Sequence, residues 1–211
     1  MRRPGNATSP SSFHSSWLDR AAPEKVQDIR RVRAVAQGKV EHRTTMTPAI
    51  LPPMDEPGHI LPRIPASAGA LITDDQGRLL IVKPTYKSGW TIPGGQIEAD
   101  GESPWEGCRR EVLEEVGLIV TTGRLVCVDF LHPRPRKPGG LRFLFDCGAI
   151  GDESVAGIVL QTDELSEYRL VESSTVGGYL SGPVGRRVTA SLAAAAPVYL
   201  EDGHPVGGVT L

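Results

Sequence analysis

The sequence predicts an α/β or α+β fold in which a mixed β-sheet lies between helices. Two observations carry that expectation. From Ala68 onward, short apolar runs recur between breaks rich in glycine, proline and aspartate, the pattern of buried strands joined by turns. Two helix-length segments, Pro104–Val116 and Val184–Ala196, interrupt those runs. No internal repeat is visible.

Residues 1–62 read as an extension that is disordered or weakly helical. Residues 4–16 are rich in Ser, Pro, Gly, Asn and Thr, and residues 47–65 carry six prolines. Between them, Glu24–Gln37 spaces Val26, Ile29, Val32 and Val35 in threes, which suits a basic amphipathic helix, either solvated or docked on an acidic partner. Met46 and Met54 are alternative start positions. A domain follows over residues 63–197. Ala68–Thr73 and Leu79–Val82 are strands joined by a hairpin turn at Asp74–Arg78. Trp90–Ile92 is a short strand running into Pro93-Gly94-Gly95. Beyond the first helix come strands at Arg124–Leu131 and Leu141–Ile150, separated by the basic loop His132–Gly140. Glu167–Val171 is a further strand, Val184–Ala196 a second helix, and residues 198–211 a tail.

Composition narrows the function. A chain of 211 residues fits one domain with extensions, and its net charge of −2 argues against a dedicated nucleic-acid or anionic-membrane binder. No run of 18 apolar residues is present to span a membrane. The N-terminal arginines precede no apolar core, unlike a secretory signal. Cys108, Cys127 and Cys147 are dispersed, which suits buried thiols in a reducing, cytoplasmic setting. Five scattered histidines make zinc a poor match.

The helix over Pro104–Val116 is the best-marked element. Ser103 can cap it, Pro104 suits its first position, Glu106 completes a capping box, and Gly117 fits the residue after its end. Gly107 costs up to about 1 kcal/mol relative to alanine, which packing can offset. Trp105, Cys108, Val112 and Val116 form a face to bury against the sheet. Glu111, Glu114 and Glu115 fall at i, i+3 and i+4, so three like charges are neighbours. A hard divalent cation removes the repulsion, because Mg²⁺ and Mn²⁺ favour clustered carboxylate oxygens. Taken alone, the spacing also suits a solvated acidic face. Arg110, one turn before Glu114, is placed to hold that carboxylate.

The wider pattern is Glu102, seven residues, Arg110-Glu111-Val112, one residue, Glu114-Glu115, one residue, Gly117-Leu118. It resembles the Nudix box, closely within the box and loosely over residues 63–197. One departure stands out. Six residues separate Gly95 from Glu102, where the family pattern has five, and the extra residue falls in the Glu98–Gly101 turn. The resemblance implies a Nudix-type α/β/α sandwich, and a divalent-metal-dependent hydrolase that cleaves a phosphoanhydride in a nucleoside diphosphate derivative through an activated water. It implies Glu111 and Glu115 as ligands of Mg²⁺ or Mn²⁺, Glu114 as ligand or base, the Gly94 carbonyl as a further ligand, and Glu98 as a supplement. Members also often use an acidic residue from a distant loop, for which Glu164 and Glu167 are candidates.

Substrate residues are less marked. Lys83, Tyr86, Lys87 and Trp90 precede the Gly-Gly turn and could line a cleft, with an aromatic stacking a base and cations meeting phosphates. A core Trp90 with solvated lysines fits the same residues. Arg134, with His132, Arg136 and Lys137, could grip phosphates or form a wet basic loop. The expected partner is a small diphosphate substrate, not nucleic acid or membrane, with a homodimer left open. Two other readings use the same fold: a nucleotide-sensing module without catalysis, and an isoprenoid-diphosphate isomerase, which would need a cysteine facing the site.

Overall fold

Apolar strands from Ala66 onward assemble into one eight-stranded mixed sheet in the computed structural model, which describes residues 63–209. The expected extension over residues 1–62, with its Glu24–Gln37 helix, lies outside the described residues. The strands are β1 (Ala66–Asp74), β2 (Arg78–Pro84), β3 (Gly94–Gln96), β4 (Arg124–Leu131), β5 (Gly140–Ile150), β6 (Leu165–Glu172), β7 (Val198–Glu201) and β8 (His204–Pro205). Their order is β6-β2-β1-β5-β4-β7-β8, with β3 added on β1. The β1–β5 and β4–β7 pairs are parallel and the others antiparallel. Helix α1 spans Pro104–Val116, α2 Asp152–Ala156 and α3 Gly182–Ala193.

Period-two alternation divides the central strands between two cores. Ala70, Ile72, Leu80 and Val82 face Cys108, Val112 and Val116 of α1, with Trp105 and Phe145 at the margin. Leu71, Leu79 and Ile81 face the other way, sharing a core with Leu200 of β7, Val176 and Val188 of α3. Both faces of β1 and β2 are thus covered by helices, which is why their sequences are nearly continuous apolar runs. The expected burial of Trp105, Cys108, Val112 and Val116 matches this packing. No helix among the described residues is long and apolar enough to cross a membrane.

The hairpin of β1 and β2 splays, and the splay positions the site. The two strands pair only beside the turn, at Thr73 and Leu79. Further along, residues 91–97 wedge between them: Val82 and Thr91 exchange backbone hydrogen bonds, and Ser67, Ala68 and Gly69 pair with Gln96, Gly95 and Gly94. The expected strand at Trp90–Ile92 is therefore reduced to a single bridge at Thr91, and the strand proper begins at Gly94. Gly94 has φ +141°, and a Cβ there would collide with the Ala68 carbonyl. Only glycine fits both conditions.

Two other expectations change. The second helix starts at Gly182 and stops at Ala193, where Ala194 turns extended ahead of Pro197. Residues 198–201, expected in a tail, form β7 beside β4. That strand owes its pairing to a parallel partner some seventy residues upstream, so no local turn announces it.

Candidate active site

Helix α1 is fixed at both ends before it presents any chemistry. The Ser103 hydroxyl accepts from the Glu106 amide at 3.3 Å, and the Glu106 carboxylate accepts from the Ser103 amide at 2.9 Å. Gly117 closes the helix with φ +72° and donates to the Leu113 carbonyl. The extra residue before Glu102 is absorbed in the Ala99–Gly101 turn, where Gly101 has φ +100°. This leaves β3 seated on β1 and α1 against both strands.

The three glutamates do not act alike. Glu115 is 6% exposed, and its Oε2 accepts from the Gly94 amide at 2.7 Å. The Gly94 N–H is therefore the group that meets Glu115. The Glu111 carboxylate lies against Gly95, where a Cβ would collide with it. The Gly-Gly pair thus serves two contacts: the first glycine admits strand β1, the second admits Glu111. Glu114 points outward, its side chain 52% exposed. The cause is helical phase. At about 100° per residue, Glu114 and Glu115 flank Glu111 on opposite sides, so only one of them can turn inward with it.

Arg110 gathers the outer carboxylates. Its guanidinium donates to both oxygens of Glu102 at 2.8 and 3.0 Å, to Glu111 and Glu114 at 2.9 Å each, and to the Gln96 carbonyl at 2.9 Å. Those bonds raise the Arg110 pKa and hold Glu102 below the usual carboxylate range. Arg110 is thus a positioning residue that ties α1 to β3. Burial drives Glu115 up to about 7, opposed by the Gly94 N–H and reinforced by Glu111 and Glu164. Burial likewise raises Glu111, with Arg110 opposing.

A cavity of about 420 Å³ opens beside these groups. Glu111, Glu115 and Glu164 line it, with Gly94, Gly95, Tyr86 and Lys87 close by, and Arg142 and Arg187 belong to its wall. Glu164 arrives on a loop stitched to both neighbours: Gln161 N–H donates to the Glu115 carbonyl at 3.0 Å and Thr85 N–H to the Glu164 carbonyl at 2.8 Å. Of the two distant acidic candidates, Glu167 lies elsewhere, paired with Arg169 at 2.7 Å. Among the described residues, no three His, Cys, Asp or Glu side chains stand close enough together to enclose a metal ion. Glu111 is engaged by Arg110 and Glu115 by Gly94, so coordination would require those side chains to turn. The donor set, carboxylate oxygens at the wall of a cavity, fits a hard divalent cation.

Several expected residues lie away from the cavity. Trp90 packs on the α3 side, edge-on to Tyr179 at 6.3 Å, with Arg169 at 4.7 Å and Lys83 at 5.9 Å from its ring. Lys83 follows Leu79 and Ile81 on the same side of β2, which carries it off the α1 face. Arg134 is bound to Asp202 at 2.8 Å. Glu98 is exposed in the turn, its amide donating to Glu102. Tyr86 does reach the cavity. None of the three cysteines lines it, so the isomerase reading lacks its residue. Arg142 and Arg187 gave little sequence signal beyond a lone cation within the apolar run Gly140–Phe145 and one on the buried face of α3.

Comparison with known proteins adds four findings. A family model described as NUDIX domain matches residues 63–185. The chain is 36% identical over 106 residues to a "MutT-like protein" of Streptomyces ambofaciens, covering 47% of this chain and 65% of that protein. It is 38% identical over 52 residues to an "RNA pyrophosphohydrolase" of Halorhodospira halophila (strain DSM 244 / SL1), covering 25% of this chain and 28% of that one. The matched stretches therefore span less than two thirds of either relative. The structure superposes on the MutT NUDIX hydrolase from Burkholderia pseudomallei with TM-score 0.50 and 19% identity, covering 64% of this chain and all of that chain, a likeness of fold.

Proposed function

The chain belongs to the NUDIX domain family, and from that premise we propose that it is a pyrophosphohydrolase cleaving a phosphoanhydride linkage in a nucleoside diphosphate derivative. One observation carries the reading. A buried carboxylate, Glu115, stands at a cavity wall beside Glu111 and Glu164, its pKa pushed up to about 7. Such burial costs a carboxylate that serves only the fold, whereas carboxylates gathered at a cavity wall suit a hard cation.

Mg²⁺ or Mn²⁺, held by Glu111 and Glu115 with Glu164 nearby, would supply neutralisation of the phosphate oxygens and readier loss of a proton from the attacking water. The chain's own residues do the rest. Gly94 and Gly95 bring backbone close to the carboxylates, leaving room that a side chain would fill. Arg110 fixes Glu111 from outside the cavity. Glu164 has no salt bridge among the described residues, which suits it to accept the proton from water. Glu114, outside the cavity, is left a supporting role through Arg110. Lys87 and Tyr86 stand where phosphate oxygens would pass.

The test is a panel of nucleoside and sugar diphosphates incubated with Mg²⁺ and then Mn²⁺, with product analysis. At least one compound should be split at the diphosphate. Glu115→Gln should lower that turnover by about 100-fold or more while the protein stays folded. Near-normal turnover in this variant would refute the assignment.

A further inference from the structure

The cavity wall also carries two arginines. There β5 contributes Arg142 and α3 contributes Arg187. Arg187 is 7% exposed, and its Nε–H donates to Asp129 Oδ2 at 2.9 Å. Asp129 is wholly buried, and its other oxygen already accepts from the Gly203 amide at 2.9 Å. The two terminal amino groups of Arg187 make no hydrogen bond to the described residues. Arg142 shares the α3 side of β5 with Leu144. Its bonds go to backbone: Leu141 O at 2.8 Å, with longer contacts to Gly139 O and Pro65 O. Burial and the neighbouring Arg187 hold the Arg142 pKa below its ordinary value, with Asp129 opposing.

Two guanidiniums therefore share the field of one carboxylate, and only Arg187 is hydrogen-bonded to it. An Arg187–Asp129 bridge tying α3 to β4 explains one of the arginines. It leaves Arg142 unexplained, because a second cation beside the first adds repulsion and a desolvation cost. An anion entering the cavity would remove both penalties, and a guanidinium fork matches a tetrahedral oxyanion.

We propose that Arg142 and Arg187 form a subsite for a second anionic group of the substrate, a phosphomonoester on the portion remote from the scissile diphosphate. The word substrate rests on the hydrolase reading; the anion site itself does not. A cavity of about 420 Å³ has room for more than a diphosphate. Its wall carries carboxylates from α1 and the Glu164 loop and guanidiniums from β5 and α3, so different elements offer the two kinds of group to one molecule. A neutral group beside the arginines would leave Arg142 without a carboxylate partner.

Calorimetry without divalent metal tests this with two probes. Inorganic phosphate should bind the native protein, bind Arg124→Gln equally, and bind Arg142→Gln at least about tenfold more weakly. Arg124 is an exposed control paired with Asp146. NADPH and NADH differ by one phosphomonoester, so NADPH should bind the native protein about tenfold or more tighter, and the ratio should fall to near one in Arg142→Gln. If Arg142→Gln fails to fold, Arg142→Lys carries the comparison, keeping charge while losing the fork, with a loss of about threefold or more expected. Undetectable phosphate binding, equal binding by the variant, or equal affinity for the two dinucleotides overturns the proposal. No turnover enters these measurements, so their failure leaves the hydrolase reading standing, and an inactive substrate panel leaves the anion subsite standing.

Discussion

At Glu115, folding opposes ionisation. Its carboxyl, with an ordinary value of 4.5, rises to about 7 beneath Gly94. The folded state thus binds this proton more tightly than the unfolded chain, so the contribution to stability is full at low pH and disappears as pH rises from about 4.5 through 7. Metal-free protein should therefore lose stability over that window. Glu115→Gln should flatten the loss and exceed the native protein at pH 8 by on the order of 1–3 kcal/mol. Parallel melting curves at pH 5 and pH 8 decide it, and equal slopes for both proteins would refute the assignment. The adjacent glycines make a second contrast. Gly94→Ala meets backbone at φ +141° and should cost roughly 1–3 kcal/mol or more. Gly95→Ala meets first the movable end of the Glu111 side chain, so it should keep most stability and lose activity. The glutamate spacing was legible from the chain, since it needs only the helix. Which of Glu114 and Glu115 turns inward was not, because that depends on how α1 is rotated against the sheet. Glu164 entered only as one of two candidates from a distant loop, and Arg142 was harder still, being brought in by strand pairing.

At the level of elements, α1 was readable almost to the residue, because its capping box, proline and terminal glycine are local signals. Cys108 sits wholly buried on its sheet-facing side, against the apolar core and apart from the cavity. Cys108→Ala should therefore lower stability by roughly 1–2 kcal/mol with turnover close to native. Selective loss of turnover in a well-folded variant would revive the isomerase reading. The strands β1, β2, β4 and β5 were equally legible as apolar runs. Strand β7 was not, and neither was the wedge of residues 91–97 between β1 and β2. Both depend on partners distant along the chain, and a run such as Val198–Glu201 is too short to be distinctive.

At the scale of the whole molecule, the described residues 63–209 by themselves supply two apolar cores and the cavity between named side chains. A chain shortened to begin at Pro62 should therefore keep its melting temperature and activity; a large loss of either would show that the preceding segment docks on the domain. The opposite end allows no such trimming. One buried carboxylate, Asp129, joins α3 to the β7–β8 turn through Arg187 and Gly203. A gene product designed to the family match would stop at residue 185. It would sever α3 before Arg187 and withdraw the amide that balances Asp129, leaving a stranded charge and one wall missing. Its inactivity would then reflect a badly chosen cut, not the chemistry of the intact site.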